Sequence, residues 1–318
     1  MRGAHLAGVA AITVTSVLWG TTGTAATFAP EAGPLAIGSA ALGIGGLLQA
    51  AVAVRPLRAA ASALRTHLAL VLLGAFAVMI YPLAFYSSMQ LAGVAIGSVV
   101  SLASAPLASG LLERLVEHRP LSAWWMVAAG LGIVGAIMLC TSTLDGAIAP
   151  ATSAVGGILL GLVAGTTYAT YSWVAQRLMR AGIGRAAAMG AVFGTGGTLL
   201  MPVLIATGAP LIATTDALLV TGYMALVPMF AGYLLFGYGL ARVPASTATS
   251  ITLSEPAVAT VLAVVVLGER LTVMGWAGLG IIGAVLLILA FAPTNAPGGE
   301  GSIVPARTSP ECDREPCA

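Results

Sequence analysis

The chain has 318 residues, 58% of them hydrophobic and only 8% charged, where a soluble domain carries about 25% charged residues. With a mean hydropathy of +1.00, a water-exposed globule is excluded and a lipid bilayer is the expected solvent. The net charge of +2 is spread without a basic patch, so nucleic acid is not an expected partner, and the expected partners are membrane lipid and a small-molecule substrate.

Residues 2–28 open with an arginine and an apolar run, the outline of a signal peptide. The run is long, ends in threonines and is followed at once by more apolar sequence, so an uncleaved first span is expected. Crossing about 30 Å of hydrocarbon takes roughly 20 residues of helix. Ten stretches qualify: about 6–28, 34–54, 66–89, 93–112, 121–141, 155–176, 187–207, 217–239, 245–267 and 273–292. Breaks between them carry Arg, Pro and Gly, as at Arg55-Pro56, Arg58 and Arg65 and at 117–120. Residues 144–154 read as a linker, and 293–318 as a disordered, Pro- and Gly-rich cytoplasmic tail. Cys140 stands alone in an apolar stretch, and Cys312 and Cys317 lie in that tail. Three such cysteines argue against a disulfide or a metal site. No cofactor is implied.

The chain repeats itself. Residues 129–139 read AGLGIVGAIML and residues 277–287 read AGLGIIGAVLL, identical at eight of eleven positions. Pro106 precedes Pro256 by 150 residues, as Leu121-Ser122 precedes Leu271-Thr272. A duplicated unit of this length predicts two five-span halves, 1–143 and 155–292. Placing the N-terminus in the cytoplasm puts twelve of the thirteen arginines inside and leaves only Arg270 outside. Five is odd, so the second half enters the membrane inverted. The predicted fold class is therefore an all-α integral membrane protein with ten transmembrane helices in two inverted-topology repeats, a device of transporters.

Three sets of residues carry a resemblance. They are Trp19-Gly20, the run from Tyr238 through Ala241-Arg242-Val243-Pro244-Ala245, and Glu255-Pro256 with Leu267-Gly268-Glu269-Arg270-Leu271-Thr272. On these the chain resembles the ten-span EamA-type exporters of the drug/metabolite transporter superfamily. The likeness covers about residues 6–292. It implies export or exchange of small metabolites, amino acids or drugs across a cytoplasmic membrane, with both termini inside.

Glu255 lies about 15 Å into the ninth stretch, near the bilayer centre. A carboxyl there costs roughly 3 kcal/mol to insert, so it should face a bundle interior or a wet cavity. Pro256 removes a backbone donor and frees the carbonyl of Thr252. The site reading makes Glu255 a substrate and proton-coupling group; the structural reading makes it a fastener between helices. Its counterpart in the first half is Ala105-Pro106, a kink without a carboxyl.

Aromatic residues are scarce, so Trp19, Tyr81, Tyr168, Tyr171 and Tyr233 stand out within the spans. They read either as a substrate lining or as packing. Trp124, Trp125 and Trp276 fall near span ends and are assigned to the interfacial belt. Thr21-Thr22 and Thr166-Thr167 read as bonding their own helices. Small residues recur every fourth position at Gly93 to Ser109, Gly157 to Ala169 and Gly190 to Thr198, the spacing of close helix packing; one stripe is open to a homodimer contact. Pro82 and Gly232, 150 apart, are candidate hinges, with Pro106 and Pro256. An intramembrane enzyme is the competing class. It needs paired acids, a nucleophile with a base, or metal ligands at related depths, whereas His5, His67 and His118 all fall at span ends. A passive channel would favour rings of like polar groups.

Overall fold

The computed structural model describes residues 2–26, 28–92, 94–118, 120–142, 151–267 and 272–291. Among them there is no strand. In lipid a backbone must satisfy its own hydrogen bonds, and an apolar chain does so as helix. The first stretch folds as α1 (Arg2–Gly20) and α2 (Thr22–Ala26), broken at Thr21. Then come α3 (Pro34–Val52), α4 (Val54–Ala59), α5 (Ala61–Thr66), α6 (Leu68–Ala92), α7 (Val94–Leu115), α8 (Ala123–Ser142) and α9 (Ala151–Arg180). After them lie α10 (Arg185–Thr207), α11 (Thr215–Met224), α12 (Gly232–Leu240), α13 (Ala245–Ile251), α14 (Glu255–Leu267) and α15 (Val273–Phe291). Six helical stretches are long and apolar enough to cross a membrane, and residues Ala123–Met138 and Val273–Leu289 form two shorter apolar ones.

The segments between spans are themselves partly helical. The break at 55–65 is helical as α4 and α5, because its alanines favour helix and Pro56 sits in a first turn, where a missing N–H is harmless. The linker 144–154 gives way to α9 from Ala151, and its residues 144–150 lie outside the described residues. Gly268-Glu269-Arg270-Leu271 of the motif and the tail lie outside them too.

The eighth stretch is not uniform. Between α11 and α12, residues Ala225–Ala231 form a π turn around Pro228. Proline cannot donate, and the ladder re-forms one residue wider: Gly232 N–H reaches back to Val227 O. Between α13 and α14, Thr252–Ser254 is a 3₁₀ turn. Here the carbonyl of Thr252 is not free, contrary to expectation, because the tighter turn brings it the N–H of Glu255. Pro106, by contrast, lies inside the continuous α7, and Pro82 inside the continuous α6.

Helix pairing follows a pattern. α6 packs on α9 and α1 on α12; α7 packs on α9 and α14 on α1; α6 packs on α10 and the π turn on α3. α3 pairs with α10, and α8 with α15. The two copies of the AGLG block thus lie against each other: a Cβ on Gly135 would meet Ile282 at 3.0 Å and the carbonyl of Gly278 at 3.1 Å.

Small residues set the spacing. A Cβ on Gly46 would lie 2.2 Å from Phe193 O, so α3 and α10 touch backbone to backbone. On α9, Gly157, Gly161 and Gly165 abut Ala92, Ser88 and Ser104 of α6 and α7, and Ser88 Oγ donates to Gly157 O at 2.6 Å. Gly93 is outside the described residues. Trp124 and Trp276 are exposed, as expected for a belt, but Trp125 is buried, its ring filling the space above Gly110. A missing side chain on α7 makes room that the sequence position alone did not indicate.

Candidate functional site

The five deep aromatic residues converge. Trp19 from α1, Tyr81 from α6, Tyr168 and Tyr171 from α9 and Tyr233 from α12 join Phe193 of α10 and Phe236 of α12 in one cluster. Ring centroids are 4.8 Å apart for Trp19–Tyr233, 4.4 Å for Phe193–Tyr233 and 5.3 Å for Tyr168–Tyr171. The last pair shares a helix face at i, i+3. Their polar tips are paired. Tyr171 and Tyr233 share a hydroxyl–hydroxyl bond of 2.7 Å. Tyr168 Oη donates to Thr252 Oγ1 at 3.0 Å, which ties α9 to the 3₁₀ turn before Glu255. Trp19 Nε1 donates to the carbonyl of Pro228 at 2.9 Å, and Thr15 Oγ1 donates to Gly232 O at 3.1 Å, so α1 clasps the π turn. A Cβ on Gly232 would sit 2.9 Å from Trp19 Nε1.

The cluster divides. Tyr168 and Tyr171 are wholly buried and back the site. Trp19, Tyr81, Tyr233 and Glu255 line a cavity together with Thr22, Pro82, Tyr86 and Met229. The empty volume is about 370 Å³, but a water centre has only about 20 Å³ within it, room for about one water. The cavity in this conformation is too narrow for an organic solute. Oε2 of Glu255 is buried with no hydrogen-bond partner among the described residues. A buried polar atom left unsatisfied is costly, and such a group in a cavity wall is the natural place for a ligand or a water to bind.

Tyr86 and Met229 are absent from the sequence reading, and Thr22 figures there only as a residue bonding its own helix. Tyr86 adjoins Phe85, which stacks on Tyr81 at the i+4 position with centroids 5.7 Å apart, and that spacing was a readable signal. Thr22 bonds the end of the preceding helix, donating to Trp19 O of α1 at 2.7 Å, while also facing the cavity. Thr166 and Thr167 bond back to Leu162 and Val163 and take no part in the site.

Pairing of the Tyr171 and Tyr233 hydroxyls is testable. Tyr171→Phe should leave the buried Tyr233 hydroxyl without its partner and cost about 1–2 kcal/mol, read as a lower Tm in detergent. The double change with Tyr233→Phe should be less damaging than two independent losses, because both halves of one bond leave together.

A second polar cluster closes the arginine-bearing end. Glu113 of α7 is 5% exposed, so Glu255 is not the sole buried acid near the bundle core. The sequence pattern ends the fourth stretch at 112, one residue short of it. Its carboxylate accepts from Ser246 N at 2.9 Å and Ser246 Oγ at 2.8 Å. Gln176 of α9 donates to the carbonyls of Leu240 and Val243 and accepts from Ala245 N at 3.1 Å. Ala245 and Ser246 begin α13, and first-turn N–H groups have no partner within their own helix. Side chains of α7 and α9 therefore cap α13 from outside. Arg180 bridges Gln176 and Glu117, and Glu117 also accepts from Trp173 Nε1 at 3.0 Å.

Comparison with known proteins agrees with this architecture. The model of the EamA-like transporter family matches residues 6–141 and again 155–291. A curated relative, the uncharacterized transporter YwfM of Bacillus subtilis (strain 168), is 33% identical over 295 residues, covering 92% of this chain and 96% of that protein. A solved crystal structure superposes with a TM-score of 0.69 at 20% identity, covering 88% of this chain and 93% of that one, which shows a shared fold. Two matches of one family model in one chain, and a relative aligned almost end to end, place this multi-pass membrane protein in the EamA-like transporter family.

Proposed function

We propose that the chain is a secondary transporter that exports a small metabolite, amino acid or drug by alternating access around the Glu255 cavity. The observation that carries this reading is the cavity itself, walled by α1, α3, α6, α12 and α14 and holding an unpartnered carboxylate oxygen. Glu255 is the group for substrate and for a coupling proton. Trp19, Tyr81 and Tyr233 line the passage, and Tyr168 and Tyr171 brace it. Ten membrane-crossing helices form two oppositely oriented halves, 1–143 and 155–292. The pairing pattern supports this, because exchanging corresponding helices of the halves maps the α6–α9 contact onto α1–α12 and α7–α9 onto α14–α1. Pro82, Pro106, Gly232 and Pro256 are the places where the halves flex. Arginine placement favours both termini in the cytoplasm, and the family resemblance favours the plasma membrane.

The experiment has two parts. Purified protein is screened for thermal stabilisation against amino acids, metabolites and cationic drugs, and any stabilising compound is followed by flux into proteoliposomes. A stabilising compound that is transported supports the reading, and stabilisation without flux refutes it. Single cysteines at 145 and 307 should label from opposite sides of the membrane. Labelling from one side would overturn the inverted halves.

A further inference from the structure

A second cavity lies at the arginine-bearing end, between the turn joining α9 to α10 and the turn joining α12 to α13. It offers about 490 Å³ to water. Arg180, Arg185 and Arg242 line it, and no carboxylate does. Arg180 is neutralised by Glu117. The other two are not: neither Arg185 nor Arg242 has an acidic partner among the described residues. Both guanidinium groups rest on one ring. Cζ of Arg242 is 3.4 Å and Cζ of Arg185 is 5.2 Å from the centroid of Tyr238. Two like charges are thus held within about one Debye length, ~8 Å at physiological salt, where water and salt screen them incompletely.

The surroundings complete an anion site. Nζ-type point charges are absent, since every basic residue of the chain is arginine, and arginine presents a planar fork that matches two oxygens of a phosphate. Arg242 spends one N–H on the carbonyl of Tyr238 at 2.7 Å. Gly184, the N-cap of the 23-residue α10, offers no side-chain acceptor to the first turn, so the positive end of that helix adds to the same field. Beside Gln176, Met179 adds apolar surface, with the buried Ile183 and Val243 behind it. All of this sits where α9, α10, α12 and α13 end or begin.

We propose that this pocket binds a phosphate-bearing anion, with Arg185 and Arg242 clamping its oxygens and the apolar surface of Met179 taking the adjoining carbon skeleton. The phosphate comes from an anionic lipid headgroup or from a soluble phosphate compound. The site is separate from the Glu255 cavity and does not rest on the transport reading.

The test uses the full-length protein in nanodiscs of phosphatidylcholine, with and without phosphatidylglycerol of the same acyl chains. Parallel samples in phosphatidylcholine receive inorganic phosphate or glycerol phosphate. Thermal stability is followed in each. Arg185→Gln with Arg242→Gln is compared with wild type and with Arg177→Gln, whose guanidinium stacks on Trp173 instead. Wild type and Arg177→Gln should be stabilised by phosphatidylglycerol or by the soluble phosphates. The double variant should bind about 25-fold more weakly, about fivefold for each arginine. Stabilisation by the lipid alone assigns the headgroup, and stabilisation by either soluble compound assigns a free anion. Equal stabilisation of the double variant, or none of the wild type by any of these, overturns the proposal.

Discussion

Glu255→Gln is expected to abolish the pH dependence of substrate flux in proteoliposomes and to slow proton-driven flux by at least about tenfold, the equivalent of about 1.4 kcal/mol. The reasoning starts from the atom. Oε2 has no protein partner to lose, and glutamine fills the same volume, so the fold should be unaffected and Tm nearly unchanged. What changes is the ability to exchange a proton. A merely structural acid predicts the reverse pattern, with flux kept and Tm lowered. Glu255→Leu sharpens the contrast: it removes a polar group from a low-dielectric site, which is stabilising if the group has no structural role, while transport is lost. Full flux with intact pH dependence in either variant would sink the coupling role.

Gln176→Leu should produce the largest loss of stability. One amide holds the carbonyls of Leu240 and Val243 and the N–H of Ala245. Leucine preserves much of the bulk and leaves three buried backbone groups unpaired, each worth about 1–3 kcal/mol. Allowing for relaxation, Tm should fall by roughly 10 °C for a protein of this size. The same change should loosen the grip of α9 on the α12–α13 turn. In a background lacking the native cysteines, a cysteine in place of the buried Ser250 should then react faster with a membrane-impermeant thiol reagent. Glu113→Gln should act in the same direction and less strongly, since its amide oxygen still accepts from Ser246. If Tm moves by under about 2 °C and labelling is unchanged, apolar packing of Leu240 and Val243 holds the turn closed instead.

Much of the fold was legible because hydropathy reports the solvent and span length reports the bilayer. Glu255 was legible for the same reason, as a charge where none is tolerated without a purpose. The aromatic residues could be found by their rarity. Their division into wall and backing could not, because it depends on which side of α9 faces α12. Glu113 and Gln176 were invisible for a different cause. At a span end a polar residue reads as solvated, and only the approach of α13 makes it a cap. Trp125 failed likewise, since the glycine that receives it lies on another helix. The π and 3₁₀ turns could not be read from proline alone, since Pro228 and Pro256 stand at irregular turns while Pro82 and Pro106 sit inside continuous helices.

The wide turn at Ala225–Ala231 has a consequence for alignment of the two faces it separates. Before it Tyr223 meets the hydroxyl of Thr21 at 2.6 Å; Met229 within it and Tyr233 after it look into the Glu255 cavity. Each residue of an α-helix turns a side chain by about 100°, so winding these same residues as regular α-helix would rotate one of those faces away, and the wide turn absorbs the extra residue instead. The segment thus works as a spacer that keeps both faces in phase, and a regular helix one residue shorter would hold the same alignment.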